Sequence, residues 1–264
     1  MVRNTFKDRL AANEPAFIFA ARSARTIDIV WLAAAAGFHA LYVDLQHSSI
    51  DLDATAQICQ AAHATSVTAL ARVPSLEPGL IARLLDAGAQ GIIAPDIRSA
   101  ADATHLVEAA LLEPRGHRSV ASGIPTPRTL GIAPEALNDA LNGATLLIAM
   151  IESPEGVAAA AEIAAVDGID ALHIGSNDLT TAMGIKGEYH HERLRTAIGS
   201  IIEAGRAAGK PVLLGGMRKR DDVAPYVRMG AARCYFTGVD NTFMLAGAKA
   251  SVAEAEAADA AARG

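Results

Sequence analysis

The sequence predicts an α/β protein folded as one (β/α)8 barrel, a TIM barrel. Three observations lead there. Short apolar runs of strand length alternate eight times with longer segments of helical period. Most runs are continuously apolar, as strands covered on both faces should be. The length of 264 residues, without a composition break, suits a single barrel domain over residues 1–264.

An amphipathic helix near Thr5 to Ala12 opens the chain. Strands follow near Ala16 to Ala21, Ala40 to Leu45, Thr68 to Val73, Gly91 to Ala94, Thr145 to Ile151, Ala171 to Gly175, Pro211 to Gly215 and Arg233 to Thr237. Between and after them, helices are expected near Ile27 to Ala36, Leu52 to Ala62, Pro78 to Ala87, Ala100 to Leu112, Pro154 to Ala164, His191 to Ala208, Asp221 to Met229 and Asn241 to Ala262. Gly37, Gly88, Gly209 and Gly230 each follow a helical run, where a left-handed residue ends a helix most easily. The connection before the fifth strand breaks the rhythm. It carries Pro114-Arg115-Gly116-His117-Arg118, a turn at Pro125-Thr126-Pro127-Arg128 and a short helix around Pro134 to Leu141. A loop of that length is a candidate for substrate capture. The Ala-rich last helix is a candidate contact with a neighbouring subunit.

Composition excludes several classes of partner. A formal charge of −6 provides no basic field for nucleic acid. No run approaches the ~18 apolar residues of a membrane span, and the charged start lacks a signal-peptide core, so a cytoplasmic protein is expected. Cys59 and Cys234, the two cysteines, have no metal-ligand spacing and are expected to be buried thiols.

In such a barrel the strand C-termini share one rim. Reading off those ends gives Asp44, Gln46 and His47 after the second strand, Arg72 at the third, Glu152 after the fifth and Asp178 after the sixth. Two carboxylates without Cys or clustered His suit an oxygen-loving divalent cation, with positions left for water and a chelating substrate. Each residue also has a structural alternative. Glu152 could cap the helix begun by Ser153-Pro154-Glu155, and Asp178 could cap a turn. Arg72 could sit in a structural ion pair, and His47 could be a satisfied rim histidine.

The motifs Phe38-His39-Ala40-Leu41-Tyr42-Val43-Asp44-Leu45-Gln46-His47, Ala71-Arg72-Val73, Leu84 to Pro95, Pro114 to Arg118, Met150-Ile151-Glu152, Ile174 to Leu179 and Gly238-Val239-Asp240 follow one another along nearly the whole chain. Together they resemble the HpcH/HpaI aldolase family, metal-dependent class II pyruvate aldolases that include 4-hydroxy-2-oxoheptanedioate aldolases. The resemblance implies that Glu152 and Asp178 hold a divalent metal (Mg²⁺, Mn²⁺ or Co²⁺) and that Arg72 contacts the pyruvate keto oxygen. It implies that His47 and Asp86 form a proton-transferring dyad, and that the turn at Ser176-Asn177-Asp178 receives the pyruvate carboxylate through backbone N–H groups. The implied activity is reversible retro-aldol cleavage of a 4-hydroxy-2-oxo acid to pyruvate and an aldehyde, in a homohexamer.

Two positions depart from the family pattern. Gln46 stands where the family often has Glu, and Met150 where it often has Gln. Both bear on the substrate, with Gln46 a candidate substrate contact. No lysine stands at a strand end, which disfavours a Schiff base. Two other functions remain open: a lyase for acyl-CoA or malyl-type substrates, with Arg115, Arg118 and Arg128 as its phosphate groove, and a barrel that binds an oxo acid without turning it over.

Overall fold

The computed structural model describes residues 3–121, 129 and 131–263. Eight parallel strands close into a barrel in sequence order: β1 (Ala16–Ala21), β2 (Ala40–Asp44), β3 (Thr68–Arg72), β4 (Gly91–Ala94), β5 (Leu146–Ile151), β6 (Ala171–Gly175), β7 (Val212–Gly215) and β8 (Cys234–Val239). The last pairs with the first, Ala16 lying opposite Cys234. The helices are α1 (Thr5–Ala11), α2 (Asp28–Ala35), α3 (Leu52–Ala62), α4 (Pro78–Asp86), α5 (Ala100–Ala110), α6 (Leu137–Ala144), α7 (Pro154–Ala158), α8 (Ala160–Ala165), α9 (Ser176–Ala182), α10 (Glu192–Ala207), α11 (Arg220–Met229) and α12 (Asp240–Arg263).

Local chemistry starts these helices. Asn4, Asp51, Ser99 and Ser153 sit at N-caps with side chains that accept from backbone N–H groups of the first turn. Gly88 and Gly230 follow α4 and α11 with φ of 110° and 113°, the left-handed conformation expected there. The expected fifth barrel helix is two pieces, α7 and α8, separated at Ala159.

Apolar side chains fall into two layers. One lies between barrel and helices, where Leu41, Ile58, Leu84, Ile92 and Ile198 are fully enclosed. The other fills the barrel interior with Ile18, Leu70, Ile93, Ile148 and Leu213. Phe6 and Leu10 of α1 belong to that inner cluster, so the opening helix closes the barrel at the N-terminal ends of its strands. The Asn4 side-chain amide fixes the closure by donating to Gln90 O and Ala144 O at 2.8 and 3.0 Å. What remains open is the opposite rim.

Two expectations change here. The long connection was expected to capture substrate, but it leaves the end of α5 and returns to the start of β5, both on the closed side. Its described part is tied there, the Asn142 side chain bonding both Leu112 N and Leu112 O. Arg115 pairs with exposed Asp167, and Arg118 is buried nearby, so neither builds a groove at the open rim. The turn through Arg128 lies outside the described residues. The last helix, by contrast, is the long exposed element expected, with only Asp240 buried. Cys59 and Cys234 are both buried, as expected.

Candidate active site

The open rim holds a pocket of ≈ 250 Å³, floored by Tyr42, Met150, His173 and Phe236 and ringed by Arg22, His47, Arg72, Asp178 and Arg218. Arg72 ends β3 directly beside Asp44, its register partner on β2. Its Nε donates to Asp44 Oδ1 at 2.9 Å and its Nη2 to Oδ2 at 2.6 Å, a two-point pair formed by a side chain that also lines the pocket. The guanidinium also lies 5.6 Å from the Tyr42 ring centroid. Burial pushes the Asp44 carboxyl up, but hydrogen bonds and charge from Arg72 and then Arg22 outweigh it and hold the group below its ordinary value. The structural ion pair weighed for Arg72 is thus real, and it orients the side chain rather than removing it from the pocket.

Glu152 follows β5 and is buried. Its Oε1 accepts the Asp96 N–H at 2.9 Å, whereas Oε2 is enclosed with no hydrogen-bond partner. Burial first, and then the charge of Asp178, raises its pKa to about 7. The capping alternative fails for Glu152, because the Ser153 hydroxyl caps α7 by accepting from Gly156 N at 3.2 Å. Asp178 lies in the first turn of α9 and caps nothing. The Ser176-Asn177-Asp178 segment, expected as a turn, therefore opens a short helix. The Ser176 hydroxyl donates to Gly215 O, which fastens that helix to β7.

These carboxylates suit a divalent cation: two oxygen donors in mutual repulsion, one of them buried and orphaned. Among the described residues no cluster of three or more His, Cys, Asp or Glu forms a fuller cage, so water and substrate would complete the coordination. Glu152 and Asp178 would hold the ion.

The other expected residues divide. His47 lines the pocket, and its backbone N–H donates to Asp44 Oδ1 at 3.3 Å. Gln46 is half-buried beside it with Oε1 enclosed and unpartnered. Asp86 does not line this pocket in its own chain. It ends α4, and a helix following a barrel strand runs back to the closed rim, where Asp86 lies in the electrostatic range of Arg118. Within one chain, therefore, His47 and Asp86 form no dyad.

Several site residues had no signal in the sequence. Arg22, in the turn after β1, donates from Nε to Asp44 Oδ2. That turn is gripped by the Asp240 carboxylate, which accepts from the backbone N–H groups of Arg22, Ser23 and Ala24 at 3.0, 2.9 and 2.8 Å. Asp96 adopts φ 51°, uncommon outside glycine, to present its N–H to Glu152. His173, the register partner of Met150, stacks on Phe236 at 4.4 Å with neither ring nitrogen bonded. Burial, then the charge of Arg72, pushes its pKa down to about 3, so the imidazole is neutral.

A closed parallel barrel with an acid pair and an oriented arginine at its open rim defines a class of TIM-barrel sites suited to a divalent cation and an anionic substrate. Residues 18–246 match the family model described as HpcH/HpaI aldolase/citrate lyase, and the chain belongs to that family. It is 37% identical to a 4-hydroxy-4-methyl-2-oxoglutarate aldolase of Chaetomium globosum over 72% of this chain and 71% of that one. It is 32% identical to a 4-hydroxy-2-oxo-heptane-1,7-dioate aldolase of Salmonella dublin over 96% of this chain and 94% of that one. Among solved structures, an HpcH/HpaI aldolase/citrate lyase family protein from Burkholderia cenocepacia superposes with a TM-score of 0.84 at 28% identity, covering 96% of this chain and 99% of the other.

Proposed function

We propose that this chain is a divalent-metal-dependent pyruvate aldolase, a carbon–carbon lyase that reversibly cleaves a 4-hydroxy-2-oxo acid to pyruvate and an aldehyde. The observation that carries the reading is Glu152: a buried carboxylate with one unpartnered oxygen, facing the charge of Asp178. When bound there, Mg²⁺, Mn²⁺ or Co²⁺ supplies Lewis acidity to the oxygens of the 2-oxo acid.

The chain's own residues supply the rest. As the C3–C4 bond breaks, its electron pair moves toward the C2 oxygen, where the Arg72 guanidinium offers fixed positive charge. Asp44 sets the direction of that guanidinium, so little reorganisation is needed as charge develops. The C4 hydroxyl gives up its proton when the aldehyde forms, and C3 takes one when the enolate collapses to pyruvate. His47 is the titratable group at the rim suited to hold and return it. The backbone at Ser176-Asn177-Asp178 receives the carboxylate. Tyr42, Met150 and Phe236 keep the floor largely apolar and limit water.

Association is part of the reading. Phe243, Met244, Leu245 and Val252 of α12 are 41%, 66%, 56% and 58% exposed, an apolar surface suited to a second copy and compatible with a hexamer. No helix among the described residues is long and apolar enough to cross a membrane, in keeping with a cytoplasmic setting. The decisive experiment is chelation followed by assay of pyruvate release: activity should vanish and return with Mg²⁺, Mn²⁺ or Co²⁺. Cleavage that survives complete metal removal overturns the reading.

A further inference from the structure

We infer that Tyr189 is a positioning residue for substrate binding: its phenol fixes the Asn177 side-chain amide, so that the amide N–H donors are offered to an anionic oxygen of the bound oxo acid. The inference deepens the aldolase reading and rests on it for the identity of that anion.

The contact joins two separate parts of the open side. Asn177 stands in the first turn of α9, between Ser176 and the proposed metal ligand Asp178, and it lines the pocket. Tyr189 lies in the connection from α9 to α10, does not itself line the pocket, and donates from its hydroxyl to Asn177 Oδ1. An amide whose oxygen is engaged by a donor keeps two N–H donors for another partner. Asn177 is exposed, and no hydrogen bond from its Nδ2 is present among the described residues. Nor does its side chain cap α9, since no N–H of that helix bonds it. Without the phenol, a half-turn about the broad terminal torsion would exchange the two edges of the amide and set its oxygen against the anion. The hydroxyl decides which edge is offered.

The connection is built to hold that hydroxyl in place. Gly184 and Gly187 take φ of 71° and 76°, left-handed conformations that turn the chain back along α9. The fully buried Thr180 hydroxyl donates to Asn177 O at 2.9 Å and accepts from Gly187 N at 3.2 Å, so one group ties the first turn of α9 to the connection. From α11, Tyr226 donates to Tyr189 O at 3.4 Å, and the half-buried Tyr189 ring packs on the apolar layer between barrel and helices. Gly216 closes the other flank, where a Cβ would collide with Ser176 Oγ and crowd Asn177 Oδ1. Asn177 is thus gripped through its backbone and its amide oxygen, with the nitrogen left unengaged.

The test pairs turnover with binding. Tyr189→Phe, which keeps the ring, should raise KM for pyruvate release about tenfold, as loss of one hydrogen bond to a charged group does, while kcat falls by less than about threefold. Calorimetry on the metal-loaded protein should show the same loss of roughly tenfold in pyruvate affinity. Asn177→Ala should lose as much, and the double variant no more than either single one, because all three remove the same donor edge. Asn177→Asp separates positioning from mere anchorage of the connection. It keeps an acceptor for the phenol but carries no donor, so pyruvate affinity should fall at least as far as in Asn177→Ala. Wild-type affinity in Asn177→Asp overturns the inference, as do an unchanged KM in Tyr189→Phe and additive losses in the double variant. A wild type that binds pyruvate but cleaves no 4-hydroxy-2-oxo acid overturns the aldolase reading alone, and the binding series still decides the role of Tyr189. A wild type that binds no pyruvate overturns both.

Discussion

Asp44 and Arg72 lie side by side on adjacent strands and meet through two parallel hydrogen bonds, with the carboxylate fully enclosed and the guanidinium 6% exposed. Each is the other's main support for remaining charged inside the barrel mouth, with Arg22 and the backbone N–H groups of Gln46 and His47 adding to Asp44.

Asp44→Ala therefore leaves a buried guanidinium without its main counter-charge. Loss of one partner of such a pair costs about 3–5 kcal/mol. Denaturant unfolding should show that loss, with pyruvate release falling by at least about 100-fold because Arg72 is no longer aimed. A stability change below about 1 kcal/mol would mean that Arg72 finds another acceptor.

Glu152 should couple metal affinity to pH. Its pKa near 7 lies above the 4.5 of an ordinary glutamate, and the metal takes only the ionised form. Between pH 7 and 5, apparent affinity for Mn²⁺ should fall by about tenfold per unit. In metal-free protein the sign for stability is set by the raised value: its contribution is full below pH 4.5 and is lost as pH rises through 7. The loss is up to about 3 kcal/mol. Glu152→Gln should abolish both dependences and stabilise the metal-free protein at neutral pH while eliminating turnover. A pH-independent metal affinity would contradict this account.

His173 should act in the reverse direction. Its folded pKa of about 3 is below the unfolded 6.5, so the unfolded chain takes up a proton first and stability is lost as pH falls from 6.5 toward 3. At pH 5 the loss amounts to roughly 2 kcal/mol. His173→Phe removes two unpartnered buried nitrogens and should raise the unfolding midpoint at pH 5 more than at pH 8. Equal shifts at the two pH values would show that burial of His173 does not govern the acid response.

Asp240 is expected to matter at a distance from chemistry. Asp240→Ala removes the acceptor for three backbone N–H groups and should cost about 2–3 kcal/mol by analogy with other unpartnered buried donors. The freed turn should also loosen Arg22, whose Nε bonds Asp44, so that pyruvate release falls along with stability. An unchanged rate in the folded variant would separate the clamp from the working of the pocket.

The legible part of this molecule was whatever the barrel's periodicity dictates. Eight apolar runs gave eight strands, and because parallel strands share a rim, Asp44, His47, Arg72, Glu152 and Asp178 could be assembled without contact information. Residues placed by turns were not legible. Arg22 reads as one arginine among Arg22 and Arg25 in a polar stretch, and only Asp240, 218 positions away, fixes its direction. His173 sits in an apolar strand where nothing local distinguishes the interior face from the helix-facing one. Asp86 differs for the opposite reason: the resemblance supplied a pairing with His47, whereas the direction of α4 carries the residue to the other end of its own barrel. The same directional rule removes Arg115 and Arg118 from the site, because a helix-to-strand connection begins and ends on the closed side.

That closed side has a kinetic consequence. With Phe6, Leu10 and Asn4 sealing the floor, the barrel is a blind alley, and every molecule passes through the same mouth. A reactant seated deepest must arrive before its companion and depart after it. Condensation should consequently follow a compulsory order of addition, and the product released last in cleavage should inhibit by competing with the substrate for the empty enzyme.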